Sequence, residues 1–234
     1  MLKEIGIDPA KNKIRWVAYL DLLGTSKLIE SEHWIQVFSV YAESLKQFRR
    51  ESFDEYLIDS FSFSDSFILY TVDQSDISYR ALDSFARLFV VSLIQRGIPI
   101  RGAMSCGYFY ADSENDLFFG QALIEAYRVG ESQDWLGFVL CESAVAQLDQ
   151  VVLPANERIN YASWLVPFKA TKQSSEIEKR MPAFIICGPS PLGQKCRDAL
   201  VRMQVSAETE EVRRKYTNTL EFLDKVSSCR KVIQ

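Results

Sequence analysis

Histidine is almost missing from this chain: His33 is the one copy in 234 residues. That scarcity excludes nearly all Ser-His and Cys-His nucleophilic chemistry, and every metal site built on several imidazoles. His33 itself, in Ser31-Glu-His-Trp-Ile, reads as an ordinary residue near a helix start. Cysteine is scarce and badly spaced for ligation. Cys106, Cys141, Cys187, Cys196 and Cys229 are odd in number and form no C-x-x-C pair, so neither a zinc site nor a disulfide framework is indicated. They read as small hydrophobes of a cytoplasmic protein. Positive charge is not in excess: 27 Lys and Arg stand against 31 Asp and Glu, a formal net charge of −4. Nothing in that balance favours bulk nucleic-acid or anionic-membrane partners. Long apolar runs are absent too. A stretch such as Phe89-Val-Val-Ser-Leu-Ile94 falls far short of the ~20 residues that span a bilayer. The first residues, Met1-Leu-Lys-Glu-Ile-Gly-Ile, lack the apolar region of a secretory signal.

What is present is ordinary for a globular domain, with 47% apolar and 25% charged residues. Residues 15–20 read as a buried strand that ends at Asp21-Leu-Leu-Gly-Thr-Ser26. Ser31 is a natural N-cap for a helix over 31–50. Residues 56–72 read as a β-hairpin with Ser64-Asp65-Ser66 at its turn. A second helix over 77–96 carries Leu82, Phe85, Leu88, Phe89, Val91 and Leu93 on a wide apolar face, and Gly97 and Pro99 stop it. A strand over 100–110, a polar turn over 111–116, a short helix over 121–129 and a strand over 138–141 follow. Strands are expected at 164–168 and 183–187, an exposed Ser-rich loop at 171–180, and C-terminal helices over 195–203 and 208–226. This order predicts one α+β domain over 1–234, with a ferredoxin-like core (14–190), helices on one face of a mixed, mostly antiparallel sheet, and a C-terminal helical extension (191–234).

The chemistry centres on two lone carboxylates, Asp21 and Asp65, each at the edge of an apolar strand. Burying a carboxylate is costly unless a cation or hydrogen-bond donors satisfy it. In a ferredoxin-like core the first strand and the hairpin are neighbours, so both carboxylates meet at one corner. Gly24, Thr25 and Ser26 supply backbone N–H groups beside them, a natural phosphate cradle. Two carboxylates with such a cradle are the minimum for two-metal phosphoryl or nucleotidyl transfer. Polymerase palms use the same geometry. Arg101 stands beside this corner as a contact for a triphosphate or base. Tyr56 opens the same strand as Phe61 and could stack on a base. Lys169 reads as a surface lysine within reach of phosphate.

The order of motifs resembles class III nucleotidyl cyclases over about residues 14–148. Tyr19-Leu-Asp-Leu-Leu-Gly-Thr25 resembles their first metal motif, and Phe63-Ser-Asp-Ser-Phe67 their hairpin motif. Ile100-Arg-Gly-Ala-Met-Ser-Cys-Gly107 is similar to the strand that follows, and Gly120-Gln-Ala-Leu-Ile-Glu-Ala-Tyr-Arg128 to their Gly-x-x-Val-Asn-x-Ala-x-Arg helix. Two departures stand out. Ile124 occupies the place of the ribose-contacting asparagine, and Phe61 that of the purine-selecting lysine. With these departures the chain is most similar to the bacterial pyrimidine cyclases of Pycsar anti-phage systems.

That resemblance implies conversion of UTP, or less readily CTP, to the 3′,5′-cyclic nucleotide and pyrophosphate, the product acting on a separate effector protein. It implies two Mn²⁺ or Mg²⁺ ions held by Asp21, Asp65 and the Leu22 carbonyl, with nucleotide contacts from Gly24, Thr25, Tyr56, Phe61 and Arg101. Arg128 would stabilise the transition state, and it would come from the partner subunit of a head-to-tail homodimer with shared sites. Two rivals remain open: a palm-type nucleotidyltransferase, and a cyclase-like nucleotide sensor without turnover.

Overall fold

The computed structural model describes residues 8–24, 57–150, 160–170, 178–186 and 191–230, with isolated positions between 35 and 46. The helix expected over 31–50 falls almost wholly outside them, as do Thr25, His33 and Tyr56.

The strands are β1 (Asn12–Leu22), β2 (Ile58–Phe63), β3 (Ser66–Thr71), β4 (Ile100–Asp112), β5 (Leu117–Phe119), β6 (Phe138–Leu140), β7 (Tyr161–Pro167) and β8 (Glu178–Phe184). The helices are α1 (Asp76–Gln95), α2 (Gln121–Ser132), α3 (Glu142–Leu148), α4 (Pro191–Val205) and α5 (Glu210–Arg230). All the strands join one sheet in the order β2-β3-β1-β4-β6-β8-β7, and β5 pairs with the far end of β4. Among the described residues only β4 and β6 run parallel; the other pairings are antiparallel. The mixed, mostly antiparallel α+β architecture expected from the sequence is the one observed.

Local chemistry explains the element ends. Ser75 caps α1 by accepting from the Ser78 N–H at 3.3 Å, and Asp73 accepts from both serine hydroxyls at 2.7 and 2.6 Å. At the other end Gly97 takes a left-handed φ of +76°, which a side chain would resist. The two-residue turn between β2 and β3 holds Ser64, at φ +56°, and Asp65. β8 begins at Glu178, inside the segment expected as an exposed loop. Its first three residues are charged and exposed, which hides the strand from sequence, but its ladder with β7 is made by backbone groups and ignores side-chain polarity.

Strand alternation divides the interior into two layers. Trp16, Ala18 and Leu20 of β1 face α1, where Leu82, Phe85, Phe89, Leu93 and Ile94 complete a large apolar core. Phe222 and Leu223 of α5 and Leu200 of α4 extend it. Val17 and Tyr19 face the other way, into a smaller cluster with Ile68, Tyr70, Phe109, Ala122 and Ala126. So α2 lies on the opposite face from α1, whereas the sequence reading put the helices on one face. Small residues permit it. A Cβ on Gly130 would come within 2.6 Å of the Tyr19 ring, so only glycine lets the helix sit this close. Among the described residues no helix is long and apolar enough to cross a membrane.

Candidate active site

The register brings one row of residues across four strands. Phe63 pairs with Ser66, Ser66 with Asp21, and Asp21 with Arg101. Asp21 shares the strand parity of Tyr19, so the row lies on the face covered by α2. The next residue of β1 is tied to the hairpin tip: the Leu22 N–H donates to the Asp65 carbonyl at 3.0 Å. The chain therefore brings Asp21, Leu22 and Asp65 to one corner of the sheet. Asp21 is buried and Asp65 half-buried. Gly24, two residues on, is exposed with a left-handed φ of +76°, and its neighbour Thr25 lies outside the described residues.

Arg101 dominates the corner. It is 3% exposed, and all five of its N–H donors are paired inside the chain. Nε and Nη2 both donate to Asp21 Oδ2, at 3.0 and 2.9 Å. Nη2 also donates to Glu131 Oε1 at 2.8 Å. Nη1 donates to the backbone carbonyls of Glu131 at 2.8 Å and Gln133 at 3.0 Å. Those carbonyls lie at the C-terminal end of α2, where helix carbonyls lack intrahelical partners and the dipole favours a cation. The expectation that Arg101 meets the triphosphate or the base does not fit this geometry, because no donor is left for a ligand.

Glu131 closes the network. Its Oε1 also accepts from the Tyr19 hydroxyl at 3.0 Å, and that hydroxyl lies 2.9 Å from Ser66 Oγ. Sequence reasoning missed Glu131 and Gln133. A carboxylate in the last turn of a helix opposes the helix dipole, which was the available signal for Glu131. Gln133 gave none. It is wholly buried, donating to the Gly102 carbonyl at 3.0 Å and accepting from Trp135 Nε1 at 2.7 Å.

The electrostatics follow from burial and this one guanidinium. Burial pushes the Asp21 carboxyl up to about 6, against the opposing pull of Arg101. Burial works to raise Glu131 too, but the Arg101 charge and hydrogen bonding hold it below the ordinary carboxylate range. Burial raises the Tyr19 hydroxyl far above its usual value, so it stays a neutral donor. Burial, followed by the charge of Arg101, lowers the half-buried Lys169 ammonium.

The other expected residues sit elsewhere. Arg128 is exposed, two residues beyond buried Ala126 and so on the outward side of α2. Ile124 and Tyr127 flank it, 49% and 51% exposed. A chain's own Arg128 is therefore not brought to its own corner. Phe61 is half-buried two residue pairs from the Asp21 row and stacks on Phe118 with ring centroids 4.0 Å apart.

The donor set fits a hard divalent cation. Asp21 and Asp65 would offer oxygen ligands; Ser66 Oγ donates to Asp21 Oδ1 at a long 3.5 Å, and the Glu131 carboxyl also lies within hydrogen-bonding reach of the Asp21 carboxyl. Among the described residues no cluster of three His, Cys, Asp or Glu could hold a metal by itself. Asp65 is tied to this corner through its backbone, and a pair of carboxylates suits Mg²⁺-like ions, whose remaining ligands come from substrate phosphates and water.

No protein-family model matches this chain, and no curated protein does. Solved structures do. The catalytic core of a rhodopsin-guanylyl cyclase with converted specificity, in complex with ATPαS, matches with a TM-score of 0.52 at 11% identity, over 74% of this chain and 96% of that one. An adenylate cyclase of Trypanosoma brucei in its monomeric state matches with a TM-score of 0.52 at 12% identity, over 75% and 89%. The monomeric guanylyl cyclase domain of the RhoGC fusion protein of Blastocladiella emersonii matches with a TM-score of 0.51 at 12% identity, over 74% and 95%. At these identities the likeness establishes the fold, which is that of the class III cyclases.

Proposed function

We propose that this protein is a metal-dependent nucleotidyl cyclase that acts on a pyrimidine triphosphate, UTP before CTP. The observation that carries the reading is the meeting of Asp21 and Asp65 at one sheet corner, in a fold shared with class III cyclases. Asp21, Asp65 and the Leu22 carbonyl would hold two Mn²⁺ or Mg²⁺ ions, which when bound would acidify the ribose 3′-hydroxyl and neutralise the triphosphate. The 3′-oxygen attacks the α-phosphorus and pyrophosphate leaves. Gly24, exposed with nothing crowding its Cα, would offer its backbone N–H to the phosphates. Arg128 neutralises the charge that develops on the transferring phosphate. Its outward position on α2, beside exposed Ile124 and Tyr127, supports a homodimer in which it serves the partner's corner.

Pyrimidine choice rests on Phe61. An aromatic at the place of a purine-reading lysine makes that edge of the pocket smaller and less polar, and the Phe61–Phe118 stack narrows it further. The cyclic product would act as a second messenger on a separate effector in anti-phage defence, within the cytoplasm. The test is pyrophosphate release and product mass with UTP, CTP, ATP and GTP competing at equal concentration with Mn²⁺. Cyclic UMP should predominate. Predominant cyclic AMP or cyclic GMP would sink the pyrimidine reading and leave the cyclase reading standing.

A second reading is a nucleotide-binding sensor without turnover. Its support is Arg101, which already holds one oxygen of Asp21, together with Ile124 in place of a ribose-contacting asparagine. Nucleotide binding without pyrophosphate release from any of the four triphosphates would favour it.

A further inference from the structure

We infer that Arg101 and Glu131 are positioning residues for the Asp21 carboxylate, holding it so that Oδ1 alone is turned to a divalent cation. The inference rests on the cyclase reading for its catalytic meaning, but its geometry stands apart from that reading. Arg101 grips Oδ2 through Nε and Nη2 together, a fork that fixes the plane of the carboxylate as a single ammonium cannot. The fork is itself locked. Nη1 is held by two carbonyls at the end of α2, and Nη2 by Glu131 Oε1, which the Tyr19 hydroxyl holds in turn. The carbonyls cannot move without the helix, and Gln133 pins the segment that follows it. Every link from the helix to Asp21 is thus a hydrogen bond of 3.0 Å or less. The result is asymmetric: Oδ2 takes both arms of the fork, while Oδ1 has the Ser66 hydroxyl at 3.5 Å, and the Glu131 carboxyl lies within hydrogen-bonding reach of Asp21.

Such outer partners of a metal-binding carboxylate typically carry about 10–100-fold of metal affinity or activity. The lock also explains why an arginine beside a cation site does not act as a competitor for it: its position is fixed by α2, on the far oxygen.

The experiment measures Mn²⁺ alone, by electron paramagnetic resonance of the free ion titrated into the nucleotide-free 234-residue chain. Asp21→Asn should abolish the site. Arg101→Lys keeps the charge but loses the fork, and should weaken Mn²⁺ about 10-fold or more. Glu131→Ala should weaken it several-fold, and Glu131→Gln, which keeps an acceptor for Nη2 and Tyr19, should restore most of that loss. The Glu131 pair decides the matter if Arg101→Lys fails to fold. In turnover, Arg101→Lys should lower kcat while leaving KM for the triphosphate within about 3-fold.

Unchanged Mn²⁺ affinity in Arg101→Lys with a large rise in KM would overturn the inference and make Arg101 a direct nucleotide contact. Tighter Mn²⁺ in Arg101→Lys would overturn it too, by making the arginine a competitor for Asp21. Absence of any Asp21-dependent Mn²⁺ would do the same. Mn²⁺ affinity that depends on Asp21, Arg101 and Glu131 in a protein that turns over no triphosphate would sustain the inference and remove the cyclase reading.

Discussion

The two faces of the sheet are built from alternate residues of the same strand, and they differ in kind. Toward α1, Trp16 and Leu20 are wholly buried among Leu82, Leu93 and Ile94, and the buried polar groups of that helix, Ser78 and Asp83, are satisfied by Asp73 and by Tyr161 and Arg87. Toward α2, Val17 and Tyr19 meet one helix of small residues, and the row at the strand end turns polar: Ser66, Asp21, Arg101 and Glu131. The thick apolar side holds most of the large buried side chains, each of which contributes about 1.5–3 kcal/mol when fully buried. The thin side is then free to carry a buried ion network, which is weak evidence for stability and strong evidence for a constraint on geometry. The candidate chemistry sits on the face with the smaller apolar cluster.

That contrast can be broken from either side. The largest expected effect is on the polar face. Asp21→Asn keeps an oxygen for Arg101 to donate to, so chemical denaturation should find the fold retained, while cyclic-nucleotide formation falls to background. Asp65→Ala should behave alike. Near-normal turnover in either variant would remove the metal assignment.

On the apolar face, Phe89→Ala should cost about 3–5 kcal/mol of stability, read as a shift of the denaturation midpoint. The folded fraction should keep its KM. A variant that stayed stable but lost activity would show that the two faces are not separable.

Arg128→Ala comes next, with kcat lowered roughly 10²-fold and KM changed less, because the contact strengthens in the transition state. Mixing Asp21→Asn with Arg128→Ala subunits should restore one working site per dimer. Failure to complement would count against the shared interface.

The smallest effect is that of pH. In the metal-free protein the Asp21 carboxyl is pushed up to about 6, so Mn²⁺ affinity should rise as pH passes through that value and the ligand ionises. Stability should move the other way. The folded value lies above the ordinary 3.8, so the native state binds the extra proton, and Asp21's contribution is complete below 3.8 and lost as pH rises through about 6. Asp21→Asn should flatten that part of the stability profile, read as melting temperature against pH. An unchanged profile would place the titration on another group.

Much of this was legible in the chain. The strand before Asp21, the hairpin around Asp65, helix α1 and the strand after Pro99 follow from hydrophobic period and turn chemistry, which are local. So were the two aspartates, because an acid at the end of an apolar strand needs a local reason. The charged start of β8 was not legible, since its ladder depends on a partner strand eleven or more residues away. Nor was the side of the sheet that α2 takes, which depends on Gly130 meeting the Tyr19 ring across 111 residues of chain.

The sequence alone therefore determined most of the elements, though not β5, α3 or the start of β8, together with the core-facing periodicity and the two carboxylates. Tertiary structure alone decided what Arg101 does. From the sequence it was a charge free to reach a ligand. In the fold, β4 sets it opposite Asp21 and the end of α2 closes over it, so all five of its donors are taken within the chain. Propensity and spacing are properties of neighbours along the chain. The saturation of a donor depends on groups that only the folded chain brings together.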